Sequence, residues 1–330
     1  MPYTVRTAAV TAAGTPDTAY ILSDPADTVR AEVWPGFGFN CLRWQFRQPD
    51  GRWGDVLYTA PDWDSNPVPT RSGHPILFPF PNRLAHGRFT FEGKDYQLPL
   101  NESTGTHAIH GFSPRAKWRV VGAGGEKGHA FVSGQLQRSK DLPAAPWPGD
   151  FVITVTYELH ATALVVECLV ENAGTEPMPF GLGNHAYFAI PDVPDATADE
   201  MTLLAPTGEL WEATAGIPTG QRLPVPEELD FRAAKPIGAT HQDTLYATGS
   251  KLPTVSRLSH PRSAGTLLVS APADFRELVL FTPPHRKAVA VEPYTCASDA
   301  ANRPDGGFRV LAAGAQWAAG VRYEWRGLRS

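Results

Sequence analysis

The sequence is poor in the features that tie a chain to a membrane, a disulfide scaffold or a nucleic acid. Cys41, Cys168 and Cys296 are the only cysteines in 330 residues, too widely spaced for a disulfide framework or a zinc cluster. A reducing, cytoplasmic setting is expected. No apolar run approaches the roughly 18 residues that a membrane-spanning helix needs, so no membrane partner is expected. The N-terminal MPYTVRTAAVTAAGTPDTAY has one arginine and an apolar stretch broken by threonines, which does not read as a secretion signal. A basic excess is missing too. The 29 Lys and Arg against 34 Asp and Glu leave a net charge of −5, with no basic run, which argues against a nucleic-acid partner. No amphipathic helix of three turns is found.

What is present is turn-rich and apolar enough to fold. Hydrophobic residues make up 42% of the chain and charged residues 19%. A chain of this size buries about 75% of its unfolded surface. The 32 prolines and 30 glycines are 62 of 330 residues, short of a low-complexity composition. Proline alone is near twice its usual ~5% share, which points to short strands joined by turns.

Alternation of period two dominates. Phe151, Ile153, Val155, Tyr157 and Leu159 share one face of a strand, with Thr154, Thr156, Glu158 and His160 on the other. Leu164, Val166, Cys168 and Val170 alternate with Glu167 and Glu171, so the two segments read as a long antiparallel hairpin. Trp317, Ala319, Val321, Tyr323 and Trp325 repeat the pattern near the C-terminus. Shorter strands are expected at 28–34, 39–47, 88–92, 95–98, 117–121, 130–136, 201–204, 266–270, 276–282, 288–292 and 307–311. Residues 122–128 (GAGGEKG) lie between strands with no helix after them, and read as a turn rather than a dinucleotide loop. Such arrays close into all-β sandwiches or barrels. Strand patterning resumes on both sides of the loops at 141–150 and 191–199, so a single domain over residues 1–330 is expected.

Stock catalytic motifs are missing. There is no G-x-S-x-G elbow. His107 and His110 have ligand spacing but no third ligand nearby, so no metal site is expected. Four segments remain. GHPILFPFPNR ends in Asn82 and Arg83, and NESTGTHAIHGF carries His110. FGLGNHAYF carries Asn184 and His185, and AVAVEPYTC carries Glu292, where Pro293 should stop the strand. Each alone is equally well a structural feature: a surface arginine, a loop histidine, a core histidine, and an outward glutamate on the face of Ala288 and Ala290. Together they suit sugar chemistry. Asn82 and Arg83 supply bidentate hydrogen bonding for hydroxyls, and a histidine with a glutamate can act as acid and base near neutral pH.

At these places the chain resembles the aldose 1-epimerase (galactose mutarotase) family. The resemblance is carried by NRLAHGRFTFEGKDYQL, NES…HAIHGF, GLGNHAYF, HQDTLYA and VAVEPYTCASDAAN, in that order, over roughly residues 74–302. It implies a large antiparallel β-sandwich, the galactose mutarotase-like supersandwich, with a sugar in a cleft on one sheet. It implies Glu292 as general base, His185 as general acid and His110 as the histidine that assists at the ring oxygen. It also implies that Asp243 holds sugar hydroxyls, with Asn82 and Arg83 binding them from the other side. No cofactor is called for. The chain departs from the family at Phe112, where a second glycine is usual, at Gly183, where threonine is usual, and in the ProTyrThrCys tail after Glu292. Phe112 is expected to reshape the sugar-binding wall.

The expected activity is interconversion of the α and β anomers of a free hexose of the glucose or galactose class. The alternatives are a hexose 6-phosphate epimerase, with Arg71 and Arg88 as the nearby cations, and a non-catalytic sugar-binding protein. His185 is expected to be protonated at rest, beside Glu292 or Asp243. Tyr187 and Phe281 are candidates for stacking on the sugar. The expected partner is a small-molecule sugar, and the chain is expected to be a monomer or homodimer.

Overall fold

The computed structural model describes residues 2–327 apart from Ala13, Pro67, Asp192, Pro194 and Ala264. Three antiparallel sheets carry most of them. An N-terminal sheet of five strands runs in chain order: Thr4–Ala12, Thr15–Ser23, Val29–Trp34, Asn40–Arg47 and Trp53–Asp55. A nine-stranded sheet is built around the expected hairpin, Phe151–Leu159 with Ala163–Asn172, paired from Phe151↔Asn172 to Leu159↔Leu164. The C-terminal strand Gln316–Arg326 lies beside Ala163–Asn172 in this sheet.

The eight-stranded sheet carries the cleft. Across it run Ile217–Pro224, Glu209–Thr214, Asp243–Ala247, Glu277–Phe281, Ala288–Tyr294, Gly183–Asn184 and Ile76–Leu77, with Tyr187–Ala189 also paired to Ala288–Tyr294. Alternation sorts the strand Ala288–Tyr294 into two faces. Val289 and Val291 enter the main core, whereas Ala288 and Ala290 pack with Tyr187 on the opposite face. The main core joins this sheet to the nine-stranded one. Phe78 packs edge-on against Phe151 at 4.9 Å, and Phe188 meets Tyr323 at 5.7 Å. Between the sheets His74 is fully buried, with Nδ1 3.0 Å from the Tyr157 hydroxyl and Nε2 2.9 Å from that of Tyr323.

Three local expectations are corrected. Gly122–Gly125 belong to the strand Arg119–Gly125, and the reversal comes later, where the Glu126 N–H donates to the His129 carbonyl. Pro293 does not stop its strand, which continues to Tyr294 with Pro293 opposite Leu278. Glu292 shares the face of Ala288 and Ala290 as read from the sequence, but it is no surface glutamate: it is 1% exposed. The only α-helix among the described residues is the four-residue Arg138–Asp141, and no helix among them is long and apolar enough to cross a membrane.

Candidate active site

A cavity of about 310 Å³ opens on the outer face of the eight-stranded sheet, and all six residues singled out for sugar chemistry line it. Strand register explains the grouping. Asp243 is opposite Phe281, Phe281 opposite Ala290, and Ala290 opposite Tyr187, so these four form one row across the sheet. One pleat along, Glu292 stands opposite Val279. Small residues at Ala288 and Ala290 on the Glu292 face leave the floor open.

Glu292 and His185 meet on this floor, with Oε2 3.3 Å from Nδ1. The Tyr294 hydroxyl donates to Glu292 Oε2 at 2.6 Å. The Tyr187 ring stacks on His185 at 4.6 Å, with its hydroxyl 3.3 Å from Nε2. That hydroxyl has one proton, and it goes to the Thr70 carbonyl at 2.6 Å. The hydroxyl therefore accepts from His185, which places the imidazole proton on Nε2 and leaves Nδ1 bare towards Glu292. Nδ1 has no hydrogen-bond partner among the described residues.

Burial dominates the protonation of this pair. It drives the Glu292 carboxyl well above the usual carboxylate range, with the Tyr294 hydrogen bond pulling it back and the charge of Asp243 adding to the rise. It pushes His185 down to about 3. The expectation of a resting imidazolium is therefore corrected: His185 does lie beside Glu292, but it is neutral, and the proton held by the pair rests on the carboxyl.

His110 meets His185 edge-on at 5.4 Å. Its Nδ1 accepts from the Asn82 N–H at 3.2 Å, and its own N–H donates to the Asn82 carbonyl at 2.9 Å. Burial keeps this imidazole well below its ordinary value, hence neutral, so its proton is on Nε2. The loop around it needs Gly111. At φ +64° a Cβ there would lie 2.2 Å from the Phe78 carbonyl oxygen. Phe112, by contrast, turns away from the cleft to Trp147, at 6.2 Å edge-on, so the expected reshaping of the sugar wall is not seen.

Arg83 Nε donates to Glu102 Oε1 at 2.6 Å, and Asn82 Oδ1 accepts from the Arg83 N–H at 2.8 Å. Of the two cations considered for a phosphate, Arg71 lines the cleft, where Asp62 holds both its terminal nitrogens at 3.1 Å. Arg88 is not part of the lining and bonds to Gln97. His107 and His110 do not converge as ligands, since His107 Nδ1 accepts from the His86 N–H. No group of three His, Cys, Asp or Glu among the described residues is placed to hold a metal. Sequence reasoning missed Tyr294, Thr70 and Glu102 as parts of the site. The first is signalled only by its period-two spacing from Glu292, and the other two by nothing local.

A second cavity, about 470 Å³, adjoins the first and shares Asn82, Arg83, Asp243 and Val279 with it. Leu210, Trp211 and Leu223 of the hairpin 209–224 form its wall.

Comparison with known proteins gives the family and the fold. The family model described as Aldose 1-epimerase matches residues 33–324. An uncharacterized protein of Escherichia coli K12, YihR, is 29% identical over 230 residues, covering 69% of this chain and 71% of that protein. Galactose mutarotase of Rattus norvegicus is 33% identical over 162 residues, 47% of this chain and 43% of its own length. Among solved structures, a galactose mutarotase-like protein of Clostridium acetobutylicum superposes with a TM-score of 0.83 at 20% identity, covering 98% of this chain and 99% of that one. Galactose 1-epimerase of Lactobacillus acidophilus gives 0.76 at 18% identity, covering 98% and 99%. At these identities the structures show the fold, the mutarotase-like antiparallel β-sandwich expected from the sequence.

Proposed function

This chain belongs to the aldose 1-epimerase family, and we propose that it interconverts the α and β anomers of a free hexose of the glucose or galactose class. The observation that carries the reading is the contact of Glu292 with His185, 3.3 Å apart on the floor of a cleft lined by Asn82, Arg83 and Asp243, which can hydrogen-bond hydroxyls.

Anomer exchange opens and recloses the ring. The C1 hydroxyl must lose a proton and the ring oxygen must gain one. When the sugar binds, the proton of the pair first passes from the Glu292 carboxyl to the bare Nδ1 of His185, 3.3 Å away. In the opening step the resulting carboxylate takes the C1 hydroxyl proton while the His185 imidazolium gives one to the ring oxygen. The C1–ring oxygen bond breaks, and C1 becomes an aldehyde. This leaves the pair as carboxyl and neutral imidazole, the form that burial favours, so the open-chain stage is the stabilised one. Rotation about C1–C2 exposes the other face of the aldehyde. Closure then returns a proton to O1 from Glu292, and the ring-oxygen proton to His185. Each transfer contributes on the order of 10²–10⁴-fold. His110 acts as a neutral donor to the ring oxygen through its Nε2–H, and Asp243, Asn82 and Arg83 hold the hydroxyls.

An uncharged sugar is favoured over a 6-phosphate because both arginines of the cleft are already matched by carboxylates, Arg83 by Glu102 and Arg71 by Asp62. The adjoining cavity leaves room beyond Asp243 and Arg83 for a bulky group on the far hydroxyls. The test is polarimetry of freshly dissolved α-D-glucose, α-D-galactose and glucose 6-phosphate. We expect faster mutarotation of a free sugar by the wild type, and loss of at least about 10²-fold in Glu292→Gln and His185→Asn. Acceleration of the phosphate alone would replace this substrate reading, and acceleration of none would leave a binding protein.

A further inference from the structure

We propose that Tyr294 is a positioning residue whose hydrogen bond to Glu292 favours the proton-accepting form of that carboxyl against the pull of burial, and that Gly183 makes room for that tyrosine. The inference rests on the function proposed above and concerns how this chain's own residues set the state of its base.

Glu292 and Tyr294 are two apart on one strand, so their side chains share a face, while Pro293 points to the other. The phenol leans back along the strand and donates to Oε2 at 2.6 Å, a short charge-assisted contact. No other side chain among the described residues hydrogen-bonds to the Glu292 carboxylate. His185 faces the same oxygen but with its bare nitrogen. The other groups close enough to be felt are Asp243, whose charge opposes ionisation of Glu292, and the phenols of Tyr187 and Tyr323, neither of which bonds to it. In a site where burial favours the neutral carboxyl, the Tyr294 hydrogen bond is the one local contact that favours the carboxylate before substrate arrives.

Gly183 is a second, independent observation. It is the register partner of Tyr294 across the sheet. A Cβ on Gly183 would lie 2.6 Å from Cδ1 and 2.7 Å from Cε1 of the Tyr294 ring. That Cβ would also lie 2.7 Å from Cβ of Pro81, and of the two neighbours the tyrosine ring is the one on a rotatable side chain, so a larger residue shifts the ring and with it the phenol. Gly183 and Tyr294 touch across the sheet. The aromatic donor fits there because its neighbour has no side chain.

The test follows the ionisation of Glu292 in the full-length protein by difference infrared spectroscopy of its carboxyl stretch, with Glu292→Gln as the blank, together with the pH profile of kcat/KM for mutarotation. Tyr294→Phe keeps the ring and removes only the donor. A hydrogen bond to a charged group is worth enough to move the Glu292 titration, and the matching limb of the profile, upward by about one to two pH units. Gly183→Ala, which shifts the ring and its hydroxyl away from Glu292, moves both in the same direction although Tyr294 itself is retained. An unmoved titration in Tyr294→Phe overturns the proposal, whatever happens to the rate, because a purely packing tyrosine changes stability but not the proton affinity of Glu292. The infrared readout does not depend on turnover. If the wild type fails to accelerate anomer exchange, the proposed function falls, and the infrared titration still decides the role of Tyr294.

Discussion

At the residue scale the site is defined by where its protons sit. His110 is fixed by a reciprocal pair of hydrogen bonds with the Asn82 backbone, which commits its Nδ1 and directs Nε2–H elsewhere. A preorganised donor of this kind is worth on the order of 10²-fold or more in rate. We therefore expect His110→Ala to lower kcat by about 10²-fold with little change in KM, measured by initial-rate polarimetry. Loss confined to KM would make His110 a binding group instead. Gly111, beside it, is required by both a positive φ and the approach of the Phe78 carbonyl. Gly111→Ala should cost more than about 1 kcal/mol of stability, read from urea unfolding.

At the element scale the strands facing the core locate the site as much as the site residues do. Leu280 is 1% exposed and lies in the row between Thr244 and Val291, in the strand whose next residue is Phe281 of the cleft. Leu280→Ala should destabilise by about 2–5 kcal/mol while leaving KM near the wild-type value at low temperature. This scale also shows what was legible in the sequence. Half-buried strands such as Phe151–Leu159 and Gln316–Arg326 advertise themselves by alternation, and their boundaries agree closely with the structure. Thr4–Ala12 and Thr15–Ser23 pair along their full length, yet their alanines and threonines carry no alternation to read. The hairpin Glu209–Thr214 and Ile217–Pro224 is masked in the sequence by its two glycines, Gly216 and Gly220, and its prolines. Ala288–Tyr294 was cut short at Pro293 because proline is rarely found inside a strand. Asn82, Arg83, His110, His185, Asp243 and Glu292 were each placed on the cleft by their motifs. Tyr294 and Glu102 were not, because their roles depend on partners fixed only by sheet register and loop packing.

At the scale of the whole molecule, the join between the two large sheets predicts how stability changes with pH. His74 is sealed between Tyr157 and Tyr323, and burial lowers it to about 3. Its ordinary value is near 6.5. The unfolded chain therefore binds a proton that the folded one refuses. The contribution of His74 is complete above about pH 6.5 and is lost as pH falls towards 3. Glu277 runs the other way. Burial raises it to about 7, so its contribution is present below about pH 4.5 and is lost as pH rises through 7. Single variants separate the two. Relative to wild type, Glu277→Gln should gain stability between pH 5 and pH 8, and His74→Gln should gain it between pH 7 and pH 4, both by urea midpoints. A variant whose difference from wild type does not change with pH would remove that group from the account.

The central claim is that Glu292 and His185 move protons between C1–OH and the ring oxygen. Exchange NMR at equilibrium tests it most directly, because cross-peaks between the α and β anomeric protons of a free hexose report interconversion itself. The account predicts strong exchange cross-peaks for glucose or galactose with wild-type protein. With Glu292→Gln they should return to the level of the sugar alone, while the sugar still binds. Cross-peaks that persist in Glu292→Gln would contradict it.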